Sequence, residues 1–438
     1  MTKNDSMFKR ILPLFLLGGV FISTHLQAQP EGIIYDNYVY DEHIKSVQLT
    51  PLDTDNPVPL IELDTREALL LSFDELEGEG DRYNYTVILC NQDWTKSDLD
   101  PMEYMGGFTD DTIDDYEYSD RTVIDYVHYE LELPNEDVNW TKSGNYLLVV
   151  YDDDDNLLLT KRFMVVSPVL IAGVRDSKPT NAAKIRTYQE FDFEVNNEIS
   201  QLKNPQKFLT ASVLQNGRWD NALTGIPPAY VLGDRIVFDY QDQITFRAGK
   251  EFRLFDTRSL RFPGTGVEEV LFPEGKPYEA ILFPDFIRND QSYLQQVDFN
   301  GEYFIINDDS PNSNAGVAAE YTNVFFTLKT GTPFYGDDVY VLGAFNDWRC
   351  DRASKMIYND VVNGYVAKIL LKQGVYDYAY ATLPSDEKKT INRDDIFKKI
   401  EGDSYQTENS YLFLFYYRPL GARYDDLIGY RFYPDVKR

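Results

Sequence analysis

Several residue types are scarce in this chain, and each scarcity closes off a class of chemistry. Of 438 residues only two are cysteine and three are histidine. Cys90 and Cys350 stand far apart, whereas a disulfide framework needs more cysteines at closer spacing. Both read as buried thiols beside Trp-containing turns; a single bridge between them is the alternative. Two histidines, His43 and His128, lie beyond the N-terminal leader, and a histidine-based zinc site needs two or three close in sequence. His128 falls in the alternating run Tyr126-Val127-His128-Tyr129 and reads as a structural strand residue. Cations are outnumbered, 42 Lys and Arg against 72 Asp and Glu, for a net charge of −30. Such a surface repels phosphate backbones and anionic headgroups, which argues against nucleic acid as a partner.

Motifs of catalysis are missing as well. There is no Gly-x-Ser-x-Gly elbow and no glycine-rich phosphate loop. The acidic run Asp152-Asp153-Asp154-Asp155 fails as a calcium loop, because Leu157 and Phe163 stand where Gly and an acidic residue are needed. It reads as a solvated hairpin tip. Paired carboxylates of a glycosidase cannot be singled out among so many acids. No catalytic residue, metal or cofactor is expected.

Long apolar runs are confined to the N-terminus. Lys3, Lys9 and Arg10 precede the apolar stretch 11–22, and Leu26-Gln27-Ala28 precedes Gln29, the arrangement of a cleaved secretory signal. The run is too short to span a bilayer, no cysteine follows for lipid attachment, and no later segment reads as a transmembrane helix. A membrane β-barrel is disfavoured, since the strands are short and irregularly spaced and the chain ends in Val436-Lys437-Arg438.

What is abundant is aromatic: 33 Tyr and 27 Phe, with aromatics at 15% of the chain. Such residues suit pleated, half-buried surfaces. Short β-type runs recur at 44–49, 68–73, 83–91, 126–133, 145–151 and 157–166, enough for an immunoglobulin-like sandwich. A second group covers 187–196, 208–215, 235–240, 251–262, 278–283 and 303–306, with Asn216-Gly217 as a hairpin turn. A third covers 323–328, 338–342, 365–371, 377–382 and 411–417. The chain is therefore expected to be all-β, a tandem of immunoglobulin-like and early-set β-sandwiches behind a cleaved signal peptide. The expected divisions are signal peptide 1–28, N-terminal sandwich 29–168, middle sandwich 169–308, linker 309–320, and an early-set-like sandwich with tail 321–438.

Two resemblances follow from particular residues. The run 339–348, ending Phe345-Asn346-Asp347-Trp348, with Met356, Gly364-Tyr365, Leu371-Lys372-Gln373-Gly374 and Tyr376-Asp377-Tyr378, resembles the glycogen-binding early-set sandwich. In that family the Trp stacks on sugar. Trp348 matches it, Ala379 stands at the lysine position, and no second Trp follows. The whole mature chain resembles the type IX secretion system plug protein family of Bacteroidota. The residues that carry this are Ile44 to Leu49, Asn84 to Trp94, Ser143 to Leu148, Arg162 to Val166, Gln215 to Asn221, Glu251 to Ser259, Ile400 to Asp403 and Thr407 to Asn409.

That resemblance implies a non-catalytic protein held at the periplasmic side of the outer membrane through its partner. The partner is a giant outer-membrane translocon barrel, whose periplasmic opening the protein closes when no cargo passes. The alternative is an exported carbohydrate-binding protein using the Trp348 surface. Within the first sandwich, the long acidic stretch 92–125 is expected to be irregular. It carries the partner-contact candidates Trp94, Tyr104, Met105, Phe108, Tyr116 and Tyr118, residue types enriched in interface cores; the alternative is a loop folded back on its own sandwich with these aromatics packed against it.

Overall fold

Alternation of side chains accounts for most strands. Tyr321–Lys329 buries Thr322, Val324, Phe326 and Leu328 and leaves Asn323, Phe325, Thr327 and Lys329 half-buried, the period of two that a half-covered sheet imposes. Gly144–Asp152 departs from it, with eight of nine residues buried. Its sheet is covered on both faces, which removes the need for polar alternation. Tyr146, Leu148 and Val150 enter the main core of the first unit. Leu147, Val149 and Tyr151 enter a smaller cluster with Ile88, Trp94 and Trp219.

The computed structural model describes residues 30–434 except 31, 53, 55, 199, 200, 387 and 390. The leader expected at 1–28 lies outside the described residues. Strands make up 46% and helices 4%, and the chain is all-β, built of packed sheets.

The first unit pairs two sheets. One contains Tyr38–Val39, Leu157–Val166, Gly144–Asp152, Tyr83–Cys90 and Asp110–Ile113, with Leu60–Glu62 added in parallel. The other runs Ile44–Pro51, Leu69–Leu76, Tyr126–Leu133, Asp115–Tyr118. Between Gly144–Asp152 and Leu157–Val166 the acidic tip turns on itself. Asp152 Oδ1 accepts from the N–H groups of Asp154 (2.9 Å) and Asn156 (2.8 Å), an Asx-type closure that needs no ion.

The remaining strands do not follow the expected divisions at 308 and 320, and this corrects them. Tyr411–Tyr417 and Asp426–Tyr433 leave the C-terminal region and complete a sheet with Leu209–Gln215 and Arg218–Ile226. There Phe413 meets Phe193 with ring centroids 5.0 Å apart, and Tyr411 meets Phe191 at 4.3 Å. The facing sheet holds Ile171–Ser177, Tyr188–Asn196, Arg235–Phe238, Tyr230–Leu232 and Thr245–Arg247. Conversely, Arg253–Asp256, Val267–Leu271, Tyr278–Leu282 and Tyr303–Ile305 join the last unit. In a ten-stranded sheet there, Arg253–Asp256 and Tyr303–Ile305 pair with Gly374–Pro384, Tyr278–Leu282 pairs with Tyr321–Lys329, and Val267–Leu271 pairs with Tyr278–Leu282. The expected linker 309–320 is also corrected. It contains a helical turn, Ala315–Ala318, and buries Val317 and Ala319 against its neighbours. At Asn216-Gly217 the hairpin forms as expected. Both residues have positive φ, 53° and 67°, the conformation that a two-residue turn of matching twist requires.

Candidate interaction surface

Half of the aromatic stretch in the first unit faces inward. Trp94 is 5% exposed and adopts φ 64° at the end of a tight turn. Its ring lies 4.4 Å from the Arg162 guanidinium and meets Trp219 of the middle unit edge-on at 5.0 Å. Tyr104 is buried and donates to the Val87 carbonyl at 3.3 Å; Met105 is buried beside it. These three are corrected as partner contacts, because packing against their own sandwich and its neighbour removes them from solvent. Phe108, Tyr116 and Tyr118 are 65%, 41% and 58% exposed. The stretch is not irregular either. It contains the helical turn Pro101–Tyr104 and two strands, Asp110–Ile113 and Asp115–Tyr118. The chain changes sheets between these strands, at Asp114.

The three units are tied together by buried polar joints that sequence reasoning missed. Between the first and last units, Lys372 Nζ lies 2.6 Å from Asp74 Oδ2. The lysine also donates to the Gly316 carbonyl (2.5 Å) and lies 4.2 Å above the Tyr126 ring. The Tyr321 hydroxyl donates to Asp74 Oδ2 at 2.6 Å, and His128 Nδ1 pairs with Asp74 Oδ1 at 2.6 Å. Side-chain exposure is 1% for Lys372 and 0% for Asp74, so each charge depends on the other for solvation. His128 is thus structural, as expected. Burial pushes the lysine below its ordinary range, with the neighbouring carboxylate opposing it.

Between the first and middle units, the Gln92 amide donates to Ser212 Oγ (2.9 Å) and accepts from Thr210 Oγ1 (2.8 Å). Between the middle and last, Arg247 pairs with Asp395 at 2.8 Å and also with Asp403. Within the last unit, Glu401, flanked by Arg253 and Arg288, accepts from the Tyr380 N–H at 2.8 Å.

Where the units meet there is a cavity of about 460 Å³, lined by Lys161, Arg162, Arg218, Glu302, Asp347 and Arg349 among others. Its cations are already engaged. Lys161 pairs with Asp347 (2.8 Å), Arg162 with Asp36 (2.9 Å) and Arg218 with Asp220 (2.7 Å). Charge compensated inside the wall leaves little to recognise an ionic ligand. Cys90 and Cys350 are both free, and burial raises the Cys90 thiol to about 12, which suppresses thiolate chemistry.

Trp348 is corrected as a sugar platform. It is 7% exposed. The Arg218 guanidinium lies 4.2 Å from its ring, and Phe252 and Phe397 pack at 5.4 and 6.1 Å. Gly301 lets the backbone approach the indole, since a Cβ there would sit 2.4 Å from the ring. A ring whose face is taken by a guanidinium cannot stack on a sugar. Trp348→Ala should lower stability by about 3–5 kcal/mol through the cavity it leaves. Mobility in α-glucan affinity gels should be the same for wild type and variant; retardation of the wild type alone would return Trp348 to a sugar-binding role.

Fold and surface together define an all-β protein of several sandwiches, cross-braced by buried ion pairs. The family model of the type 9 secretion system plug protein 1st domain matches residues 44–167. A crystal structure of a hypothetical protein from Parabacteroides merdae ATCC 43184 matches with a TM-score of 0.84 at 35% identity, over 92% of this chain and 99% of that one. A biofilm associated protein's BSP domain aligns over 92% of this chain and 62% of its own, at 9% identity and a TM-score of 0.17, too low to carry an argument. No curated protein matches. The chain belongs to the type 9 secretion system plug family. Membership points to a structural role related to type IX secretion and to the cell envelope. Among the described residues no helix is long and apolar enough to cross a membrane.

Proposed function

We propose that this protein is the periplasmic plug of a type IX secretion system. It binds the giant outer-membrane translocon barrel and closes its periplasmic opening while no cargo is passing. The match over residues 44–167 carries the reading. The joints support it physically. A body that must cover a wide aqueous opening cannot yield at its seams, and the directional bonds that Asp74 makes with Lys372, Tyr321 and His128 fix the register in which the first and last units meet. A net charge of −30 keeps such a body soluble and complements a basic rim.

The test is a mild-detergent pull-down of the tagged mature protein from its native envelope. The expected result is a very large outer-membrane barrel recovered in near-equal amount. Recovery of the protein alone, or with glycan-utilisation proteins only, would overturn the reading.

A further inference from the structure

The strand Asp115–Tyr118 ends its sheet. Its one ladder is with Tyr126–Leu133, and all four of its residues are exposed. Among the described residues no strand covers its outer edge. An edge of this kind presents backbone donors and acceptors to any extended segment that reaches it.

We propose that this edge takes an extended, cationic segment of a protein partner as an added strand. The side chains decide the chemistry of the guest. Asp115 and Glu117 lie opposite Glu130 and His128 and share one face of the sheet; Tyr116 and Tyr118 lie opposite Tyr129 and Val127 and share the other. The tyrosines are held in place. Tyr116 packs on Tyr129 with centroids 5.6 Å apart, and the Tyr118 hydroxyl donates to the Glu79 carbonyl at 2.8 Å. Neither Asp115 nor Glu117 forms an ion pair among the described residues. Opposite charges on directly opposed strand residues stabilise a pairing and like charges oppose it. An incoming strand therefore gains from Lys or Arg at alternate positions, beside Asp115 and Glu117. Its intervening residues meet the two tyrosine rings, where an apolar or guanidinium group packs.

The same charges exclude a second copy of this chain. Short, charged edges are how sheets resist pairing with their own kind, and a copy carrying −30 would bring acid onto acid. The edge is thus closed to self-association and open to a basic strand, the mode of recognition in which main-chain bonds give affinity and alternate side chains give specificity. That the guest belongs to the translocon rests on the plug reading; the chemistry of the edge does not.

The probe is a blocked hexapeptide alternating lysine and valine, with a glutamate–valine peptide as control, followed by hydrogen exchange of the mature protein. The lysine peptide should slow exchange within 115–118 and the glutamate peptide should not. In Asp115→Lys/Glu117→Lys, a change confined to exposed positions and checked by an unaltered melting curve, the preference should invert. Affinity for the lysine peptide should fall about tenfold or more. Slowed exchange by both peptides alike, or by neither, would overturn the proposal. The double variant is also carried through the envelope pull-down. Loss of the barrel from the variant alone supports the edge as the docking site. Equal recovery with wild type and variant overturns it while leaving the plug reading intact. Peptide protection without any barrel in the wild-type pull-down sinks the plug reading and not the edge.

Discussion

Asp74→Ala is expected to cost about 3–5 kcal/mol and to split a single unfolding transition into two, because it strands a buried ammonium at the seam between the first and last units. In the native protein Lys372 Nζ lies 2.6 Å from Asp74 Oδ2, 2.5 Å from the Gly316 carbonyl and 4.2 Å from the Tyr126 ring. The variant keeps the last two and loses the carboxylate in direct contact with the ammonium, leaving the more distant Glu130. It also deprives His128 Nδ1 of its partner and leaves the Tyr321 hydroxyl with Ser46 Oγ alone, at 2.7 Å, and a buried group left without a partner adds its own desolvation cost. Differential scanning calorimetry measures the effect. Asp74→Asn keeps the shape without the charge and should fall between wild type and Asp74→Ala. Asp74→Leu/Lys372→Met, which removes both charges, should recover much of the loss, since apolar replacement of a whole buried pair is often neutral or better. A loss below about 1 kcal/mol with one sharp transition would mean that the seam is held by apolar packing and that the network is incidental.

These joints explain what could and could not be read from the chain. Local periodicity marks where strands lie. The hairpin joining Gly144–Asp152 to Leu157–Val166 is legible from two apolar runs around an acidic tip, and the turn at Asn216-Gly217 from its residue types. Periodicity says which face is buried and nothing about which strand is the neighbour. Tyr411–Tyr417 therefore looks like a member of the last unit, although it pairs with Leu209–Gln215, roughly two hundred residues earlier. Trp348 fails for a related reason: its ring is closed off by Arg218, a residue of another unit. Asp115–Tyr118 was readable in principle. Its acid–Tyr–acid–Tyr order is an alternation of period two, hidden only by the acidity of the surrounding stretch. Asp74 and Lys372 carry no such signal. A charged residue inside an apolar strand shows itself as a joint only when its partner, 298 residues away, is brought to it.

Stability should rise as pH falls from about 7 to about 4.5 and then decline, a profile set by two sets of buried carboxyls acting in opposite directions. Asp377 and Glu302 form the first set. Asp377 is wholly buried, and its Oδ2 accepts from the N–H groups of Phe299 (2.5 Å) and Gly301 (3.0 Å), while its Oδ1 has no hydrogen-bond partner among the described residues. Burial pushes it from 3.8 up to about 7, with Asp298 adding repulsion and the two N–H groups opposing. Burial also pushes Glu302 from 4.5 up to about 7, with Lys161 opposing and Asp377 and Asp347 adding to the rise. The folded chain thus holds protons on these groups that the unfolded chain has released. Their contribution is complete below the unfolded values and is lost as pH rises through about 7. Glu401 is the opposite case. Although burial alone would raise it, Arg253 and Arg288 hold it at about 2 against an ordinary 4.5. Its contribution, about 3 kcal/mol at one pKa unit per 1.36 kcal/mol, is present above 4.5 and lost as pH falls toward 2. Urea unfolding from about pH 3 to 9 gives the profile. Asp377→Asn, which keeps an acceptor for the two N–H groups and removes the charge, should stabilise the protein at pH 8 by about 1–3 kcal/mol and leave it little changed near pH 4.5. Glu401→Gln should do the reverse, with a large loss at neutral pH that shrinks as acid protonates the wild-type carboxyl. If both variants shift stability by the same amount at every pH, the carboxyls matter for their shape and the charge argument fails.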